Sequence, residues 1–213
     1  MRKAMGKLVL LRHGESVWNK INVFTGWVNI GLSEKGIQES IEAGEELADI
    51  RFDAIYVSTL IRAQMTAAIV IAKNRKTKTA LFPSDSDWEK SYGEEEFIQV
   101  IEAEELNERY YGKLQGKNKD EVKKEFGEEQ FKLWRRSYDT PPPEGESLKM
   151  TIERALPYCQ KEIFPRVRNG ETVLVCAHGN SLRGIIMYLN KLSSVEIVHL
   201  EIATGVPLTY DLS

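Results

Sequence analysis

The sequence predicts an α/β protein with a three-layer α/β/α architecture, in which helices cover both faces of a mostly parallel central sheet. Three short apolar segments lack the alternation of a half-exposed strand, so each is predicted to be buried on both faces. Helical patterns separate these segments, and strands that alternate with helices are typical of this class. The three segments are residues 7–11 (KLVLL), 54–58 (AIYVS) and 172–177 (TVLVCA).

Two weaker strand candidates and five helices complete the prediction. Residues 77–82 (TKTALF) carry a weak strand pattern, and residues 206–212 (VPLTYDL) are expected to close an edge of the sheet. Ser33 is a plausible N-cap for the first helix, Gly127 is expected to break the third helical stretch, and Pro157 to kink the fourth. The predicted helical stretches are residues 33–50, 62–74, 118–136, 146–164 and 181–192.

A chain of 213 residues is expected to form a single domain, residues 1–213. Residues 83–105 are acidic and poor in core residues, so they are predicted to be an excursion from the domain surface. Residues 140–147 (TPPPEGES) are predicted to be a stiff connector within the domain.

Composition and charge exclude several classes of protein. The net charge of −3 provides no basic field for nucleic acid or an anionic membrane. The apolar runs are far shorter than the roughly 18–20 residues of a membrane span, and a signal peptide is not expected. Cys159 and Cys176 lie in apolar stretches and are expected to be reduced core thiols. We therefore expect a cytoplasmic protein without nucleic acid or membrane partners.

Two of the three histidines stand just beyond the ends of predicted strands. His13 stands in LVLLRHGES and His178 in TVLVCAHGN. Ligands of open parallel sheets bind beyond the carboxyl ends of the strands, and the glycines after both histidines permit close backbone approach. One such histidine is more often structural, but two in the same position indicate a shared functional site.

The residues around these histidines favour phosphate over a metal ion. Arg12 and Arg183 would oppose a divalent cation, and no carboxylate stands at ligand spacing, so no metal is expected. Arginine binds phosphate well, and a neutral imidazole can accept a phosphoryl group covalently. Walker and dinucleotide-binding motifs are absent, and the spacings around Ser181 and Cys176 do not fit a serine hydrolase or a cysteine phosphatase.

These motifs resemble the histidine phosphatase superfamily, and longer stretches resemble the cofactor-dependent phosphoglycerate mutases. The superfamily resemblance lies in LVLLRHGES and AHGNSLR. The matches to the mutases occur in order along almost the whole chain, which makes chance a poor explanation. They are WNKINVFTGWVNIGLSEKG (18–36), STLIRAQMT (58–66), LNERYYGKLQGKNKDE (106–121), WRRSYDTPPP (134–143), AHGNSLR (177–183) and ATGVPLTYDL (203–212).

The resemblance implies a phosphoglycerate mutase-like fold and a role for each matching residue. His13 would carry the phosphoryl group, while Arg12, Arg62 and His178 would stabilise its charge. Glu108 would be the general acid and base, a role for which a raised pKa is expected. Substrate would be held by Arg12, His13, Gly14, Glu15, Ser16, Val17, Trp18, Asn19, Thr25, Gly26, Arg62, Glu108, Arg109, Tyr110, Tyr111, Lys119, Arg135, Arg136, Gly179 and Asn180.

The implied activity is the interconversion of 3-phosphoglycerate and 2-phosphoglycerate in glycolysis and gluconeogenesis. The implied cofactor is 2,3-bisphosphoglycerate without a metal, the partners are small phosphorylated three-carbon acids, and a homodimer is compatible with the sequence. One alternative is a histidine phosphatase acting on small phosphorylated metabolites, because longer mutases have an extra segment before the ESL helix and a C-terminal tail that covers the site. The other is a catalytically silent phospho-ligand-binding protein, which is disfavoured because every implied catalytic residue is present.

Overall fold

A six-stranded, mostly parallel sheet forms the centre of the computed structural model, which describes residues 6–77, 79–83 and 97–212. The strands are β1 (Lys7–Arg12), β2 (Ala54–Val57), β3 (Thr79–Leu81), β4 (Phe97–Glu102), β5 (Thr172–Ala177) and β6 (Pro207–Asp211). Their spatial order is β3-β4-β2-β5-β1-β6, and only β6 runs antiparallel to its neighbour. The predicted strands, including the weak one and the edge strand, are therefore confirmed.

Helices cover the sheet and extend beyond it. They are α1 (Val17–Lys20), α2 (Glu34–Glu46), α3 (Ile61–Lys73), α4 (Lys119–Phe126), α5 (Glu128–Arg136), α6 (Leu148–Tyr158), α7 (Phe164–Arg168), α8 (Gly179–Asn190) and α9 (Ser194–Ile197). Ser33 caps α2 by accepting a hydrogen bond from the Gly36 N–H at 3.1 Å, as predicted. Within the described ranges, none of these helices has the length and apolar character needed to cross a bilayer.

Both faces of the sheet are buried, as the apolar strand pattern predicts. On β1, Leu8 and Leu10 face one layer of side chains that includes Phe164 of α7. Val9 and Leu11 face the opposite layer, which α2 and α3 supply. All four β1 side chains have no exposed area, so each contributes the roughly 1.5–3 kcal/mol typical of a fully buried aliphatic side chain. The α/β/α architecture is confirmed.

Two predicted helical stretches are interrupted where the sequence indicated a break. Gly127 adopts φ +85°, a conformation that glycine tolerates best, and it separates α4 from α5. Pro157 lies near the end of α6, where the chain passes through one π-helical turn, Cys159–Ile163, into α7. A proline lacks the N–H of a regular helix, and here the chain stays helical but changes from α-helical to π-helical hydrogen bonding two residues after Pro157.

The predicted acidic excursion over residues 83–105 is wrong at its C-terminal end. Phe97–Glu102 form β4, which lies inside the sheet between β2 and β3. Ile98 and Val100 of this strand are buried. Their short apolar alternation was not recognised in the sequence because glutamates directly precede it. The part of the prediction over residues 84–96 falls outside the described residues.

The carboxyl ends of three neighbouring strands place polar side chains at one edge of the sheet. β1 pairs with β5, and β5 pairs with β2, all in parallel. Their C-terminal neighbours are His13, His178 and Ser58, respectively. This edge is where a parallel sheet is expected to bind its ligand.

Candidate active site

The two strand-end histidines lie side by side, as the sequence predicts. Their ring centroids are 4.9 Å apart, because Arg12 and Ala177 are register partners and each histidine comes one residue later. His13 is 2% exposed and His178 is completely buried. The two imidazoles therefore share one small environment rather than two separate cavities.

His13 presents a neutral imidazole with a free nitrogen. Its Nδ1 lies 2.6 Å from the Gly14 carbonyl oxygen, which can only accept a hydrogen bond, so Nδ1 carries the proton. Burial lowers the pKa of His13 well below its ordinary value, and the positive charges of Arg62 and Arg12 lower it further. Nε2 therefore keeps its lone pair and can act as a nucleophile.

His178 is held by a residue that the sequence analysis did not identify. Its Nε2 lies 2.6 Å from Ser58 Oγ, whose oxygen also accepts the Leu60 N–H at 3.3 Å. Burial and the charge of Arg62 keep the pKa of His178 well below its ordinary value, so the ring is neutral. Its Nδ1 is buried without a partner. If the Ser58 hydroxyl donates to Nε2, the single ring proton is on Nδ1, which suits an anionic oxygen beside His13.

Two arginines supply the positive charge around the histidines. Arg62 is 1% exposed, and its guanidinium donates to the carbonyl oxygens of Val28 at 3.0 Å and Gly26 at 2.7 Å. Burial lowers the pKa of Arg62 to about 10, which still leaves it charged at neutral pH. Arg12 donates from Nη1 to the Ile202 carbonyl oxygen at 2.7 Å, while its buried Nε has no partner. Both cations are fixed in position before any ligand binds.

Glu108 lies in the same pocket with one oxygen fully engaged. Its Oε1 accepts the Arg109 N–H at 2.7 Å, the Asn180 N–H at 3.2 Å and the Asn180 side-chain Nδ2 at 2.8 Å. Burial raises the pKa of Glu108, but these donors and the charges of Arg62 and Arg12 outweigh burial and hold the pKa below its ordinary value. The raised pKa expected from the sequence is therefore not found in the ligand-free protein, and the carboxylate is ready to accept a proton.

A second group of cations lines the same pocket. Lys119, Arg135 and Arg136 lie there with Tyr111. Burial lowers the pKa of Lys119 to about 8, with further lowering by the charges of Arg135 and Arg12. The pocket can thus receive an anion with two charged ends, one beside the histidines and one beside these cations.

Most of the predicted substrate residues line this one pocket. The exceptions include Gly14, whose N–H donates to Thr66 Oγ1, and Ser16, which caps α1. The predicted residues that line the pocket are Arg12, His13, Asn19, Thr25, Gly26, Arg62, Glu108, Tyr111, Lys119, Arg135, Arg136, Gly179 and Asn180.

The other predicted substrate residues lie beside or behind the pocket. The Glu15 carboxylate accepts a hydrogen bond from Ser33, Val17 is 41% exposed, and the Trp18 carbonyl accepts the Val23 N–H. Arg109 is buried behind the wall, where its Nη2 donates to the Tyr111 hydroxyl at 2.9 Å. Tyr110 packs edge-on against Trp27. Direct substrate contact by these residues stays a prediction.

Three polar residues of the site were absent from the sequence prediction. Ser58 could have been found by the rule that found the histidines, because it stands at the carboxyl end of the predicted strand 54–58. Arg183 and Glu201 line the pocket, and Glu201 pairs with Arg136 at 2.7 Å. The AHGNSLR motif contains Arg183, but nothing in the sequence distinguishes Glu201 from other surface glutamates. Among the residues described, no group of three or more His, Cys, Asp or Glu side chains is arranged to hold a metal ion.

Comparison with known proteins identifies the family to which the chain is similar. A profile of the histidine phosphatase superfamily (branch 1) matches residues 8–82 and 90–207. The chain is 51% identical over 214 aligned positions to the 2,3-bisphosphoglycerate-dependent phosphoglycerate mutase of Methanococcus vannielii, covering 98% of this chain and 91% of that protein. It is 49% identical to the enzyme of the same name from Chlamydia muridarum, covering 97% and 94% of the two chains.

Solved structures show the same fold at lower identity. Bacillus stearothermophilus YhfR superposes with a TM-score of 0.78 at 27% identity, covering 97% of this chain and 91% of that one. The alpha-ribazole phosphatase from Shigella flexneri superposes with a TM-score of 0.76 at 22% identity, covering 97% and 91%. The latter likeness supports the fold alone.

Proposed function

Because the chain belongs to the histidine phosphatase superfamily and, within it, to the 2,3-bisphosphoglycerate-dependent phosphoglycerate mutases, we propose that it interconverts 3-phosphoglycerate and 2-phosphoglycerate through a phosphorylated His13. The observation that carries this assignment is the neutral His13 with a free Nε2, which lies in the field of Arg62 and Arg12 and lines the same pocket as an ionised Glu108. The reaction is a step of glycolysis and gluconeogenesis, and we propose the cytoplasm as its compartment.

The inner part of the pocket fits a phosphoryl group. The buried Arg12 Nε and His178 Nδ1, together with the Thr25 hydroxyl, have no hydrogen-bond partner among the residues that the structure describes. Buried polar atoms are rarely left unpaired, so three of them in and around one pocket indicate a polar ligand. When bound, 2,3-bisphosphoglycerate supplies the phosphoryl group that loads His13. Arg12, Arg62 and His178 then stabilise the charge on the phosphoryl oxygens.

Glu108 and His13 perform the transfer between them. The free hydroxyl of the bound phosphoglycerate attacks the phosphorus on His13, the P–N bond breaks, and its electron pair returns to Nε2. Glu108 accepts the hydroxyl proton through Oε2, the oxygen that its three N–H donors leave free. In the second half, Nε2 attacks the other phosphoryl group, a P–O bond breaks, and Glu108 returns the proton to the departing oxygen.

The second group of cations explains selectivity for a phosphorylated carboxylic acid. Lys119, Arg135 and Arg136 line the same pocket as His13 and would hold the substrate carboxylate and its second phosphate. Arginine binds both groups in bidentate fashion, so either end of a reoriented molecule can be accepted.

Labelling with 2,3-bisphosphoglycerate tests this function. The wild-type protein should acquire an acid-labile, base-stable phosphoryl label that maps to His13, and His13→Ala should lose both the label and mutase turnover. His199→Ala is the matched control, because His199 is exposed outside the pocket and should leave both unchanged. Normal turnover in His13→Ala would refute the nucleophile. Release of inorganic phosphate faster than mutase flux would instead identify a phosphatase.

A further inference from the structure

Arg183 contacts the catalytic machinery indirectly, through Asn180. Both residues lie on α8, three positions apart, which places their side chains next to each other. Arg183 Nη1 donates to Asn180 Oδ1 at 2.9 Å, and Arg183 Nε donates to the Leu200 carbonyl oxygen at 2.9 Å. The side chain is 13% exposed, and its Nη2 also lies 3.9 Å from Glu201 Oε2, so the guanidinium is held in a mostly buried position by two carbonyl-type acceptors and one carboxylate.

This contact decides which way the Asn180 amide points. A guanidinium has only donors, so the amide must turn its oxygen toward Arg183 and its NH₂ group toward Glu108. The Asn180 Nδ2 accordingly donates to Glu108 Oε1 at 2.8 Å. Without Arg183, the amide could rotate by half a turn and place its oxygen beside the Glu108 carboxylate. That contact would be unfavourable, because both groups are hydrogen-bond acceptors and neither supplies a donor.

The orientation of Asn180 in turn sets the state of Glu108. Three N–H groups occupy Oε1, which leaves Oε2 free to take a proton from substrate. A β-carbon placed on Gly179 would lie 3.9 Å from this Oε2 and 3.7 Å from Arg12 Nε, so Oε2 lies near the start of α8 on the side of Arg12. The charges of Arg62 and Arg12 act on Glu108 as well and lower its pKa, and they are unchanged in the variants below.

We propose that Arg183 is a positioning residue of the mutase, which fixes the Asn180 amide and thereby keeps Glu108 ionised with Oε2 directed to the substrate hydroxyl. This inference rests on the proposed function, in which Glu108 is the proton acceptor. Arg183 acts through Asn180 and is assigned no transfer step of its own.

The pH dependence of kcat tests the proposal. In Arg183→Leu, loss of the correctly oriented amide should raise the pKa of Glu108, so the acidic limb of the kcat profile should move to higher pH by about one unit. The KM for 3-phosphoglycerate is measured beside kcat, because Arg183 also lines the pocket and a loss of substrate binding would raise KM without moving the acidic limb. Arg183→Lys keeps a donor and a charge and should restore most of the shift.

A double-mutant cycle separates this route from simple loss of a positive charge. In the Asn180→Ala background, Arg183→Leu should cause no further shift of the acidic limb, because the amide it orients is already gone. Shifts that add in the double variant would overturn the proposal, since a charge acting through space does not need Asn180. A large rise in KM with an unmoved acidic limb would also overturn it and make Arg183 a substrate-binding residue.

Two further measurements keep the test decisive. Thermal unfolding verifies that each variant folds. If Arg183→Leu does not fold, the same cycle is carried out with Arg183→Lys, which should move the acidic limb of the kcat profile by a smaller amount. Asn180→Ala should abolish that smaller shift. Phosphoryl labelling of wild-type His13 is independent of this cycle. Absence of that label would refute the proposed function, whereas an intact label with additive shifts would refute only the role of Arg183.

Discussion

Replacement of Glu108 with glutamine removes the proposed proton acceptor from the pocket and preserves the shape of the side chain. The glutamine oxygen can accept the N–H groups of Arg109 and Asn180 that now bind Oε1, at 2.7 to 3.2 Å. The amide nitrogen then takes the place of Oε2, where it cannot accept a proton. The fold should therefore be retained while general acid–base catalysis is lost.

The expected loss in kcat is about 10³–10⁴-fold, the upper part of the range for general acid–base catalysis. It corresponds to about 4–5.5 kcal/mol of barrier. The upper part applies because the same carboxylate serves both half-reactions, so no second group in the mechanism takes its place. Substrate affinity should not weaken, since Glu108→Gln removes a negative charge from a pocket that binds anions.

Steady-state mutase assays and isothermal titration with inorganic phosphate measure the two effects separately. Glu102→Gln is the matched control: Glu102 ends β4 outside the pocket and accepts a hydrogen bond from Gln64 Nε2 at 2.7 Å. It should change kcat by less than about twofold, as is usual away from a site. A Glu108→Gln enzyme that keeps more than a tenth of the wild-type kcat would show that another group moves the proton.

Three further predictions follow from the same geometry. Ser58→Ala removes the hydrogen bond to His178 Nε2, and we expect a roughly tenfold fall in kcat and a stability loss of about 1–3 kcal/mol, measured by turnover and urea unfolding. Burial and Arg62 hold the pKa values of His13 and His178 below 6.5 in the folded protein, so the unfolded chain binds more protons in acid. The free energy of unfolding should therefore be fully retained above about pH 6.5 and fall below it, by up to about 2.7 kcal/mol per pH unit, and a flat urea-unfolding profile would contradict the neutral imidazoles. Lys119, whose pKa burial and neighbouring arginines lower to about 8, should lose its charge in alkaline solution, so the Kd for phosphate should rise above pH 8 in the wild type and much less in Lys119→Arg.

The sequence predicted those strands whose side chains are buried on both faces of the sheet, because such strands are continuously apolar. The continuous apolar runs of β1, β2 and β5 identified central strands, and their parallel pairing followed from the helices between them. The strand β4 was not predicted because it is buried by its position between β2 and β3. The amino-acid composition of the segment itself does not reveal that position. Short helices such as α1 and α9 have four residues each and no helical period to detect.

The site was predictable from two different sources. The residues alone placed His13 and His178 at one sheet edge and favoured phosphate, whereas Glu108 rested on resemblance to the mutases. Its carboxylate reaches the pocket because a loop after β4 carries it there, and no spacing rule connects that loop with the strand ends. Arg183 could not be assigned from sequence, because its contact with Asn180 becomes meaningful only when Glu108 is seen beside the amide.

One set of charges explains both the binding and the chemistry of this pocket. An imidazolium cannot attack phosphorus, so a nucleophilic histidine has to be neutral, yet its surroundings have to attract a dianion. Arg12 and Arg62 meet both needs, because the positive field that holds phosphoryl oxygens also disfavours protonation of His13. Loading His13 with a phosphoryl group adds negative charge that offsets Arg12 and Arg62, which should raise the pKa of Glu108 from its low resting value toward one suited to proton exchange. The protein can thus keep Glu108 ionised before substrate binds and still use it as an acid afterwards.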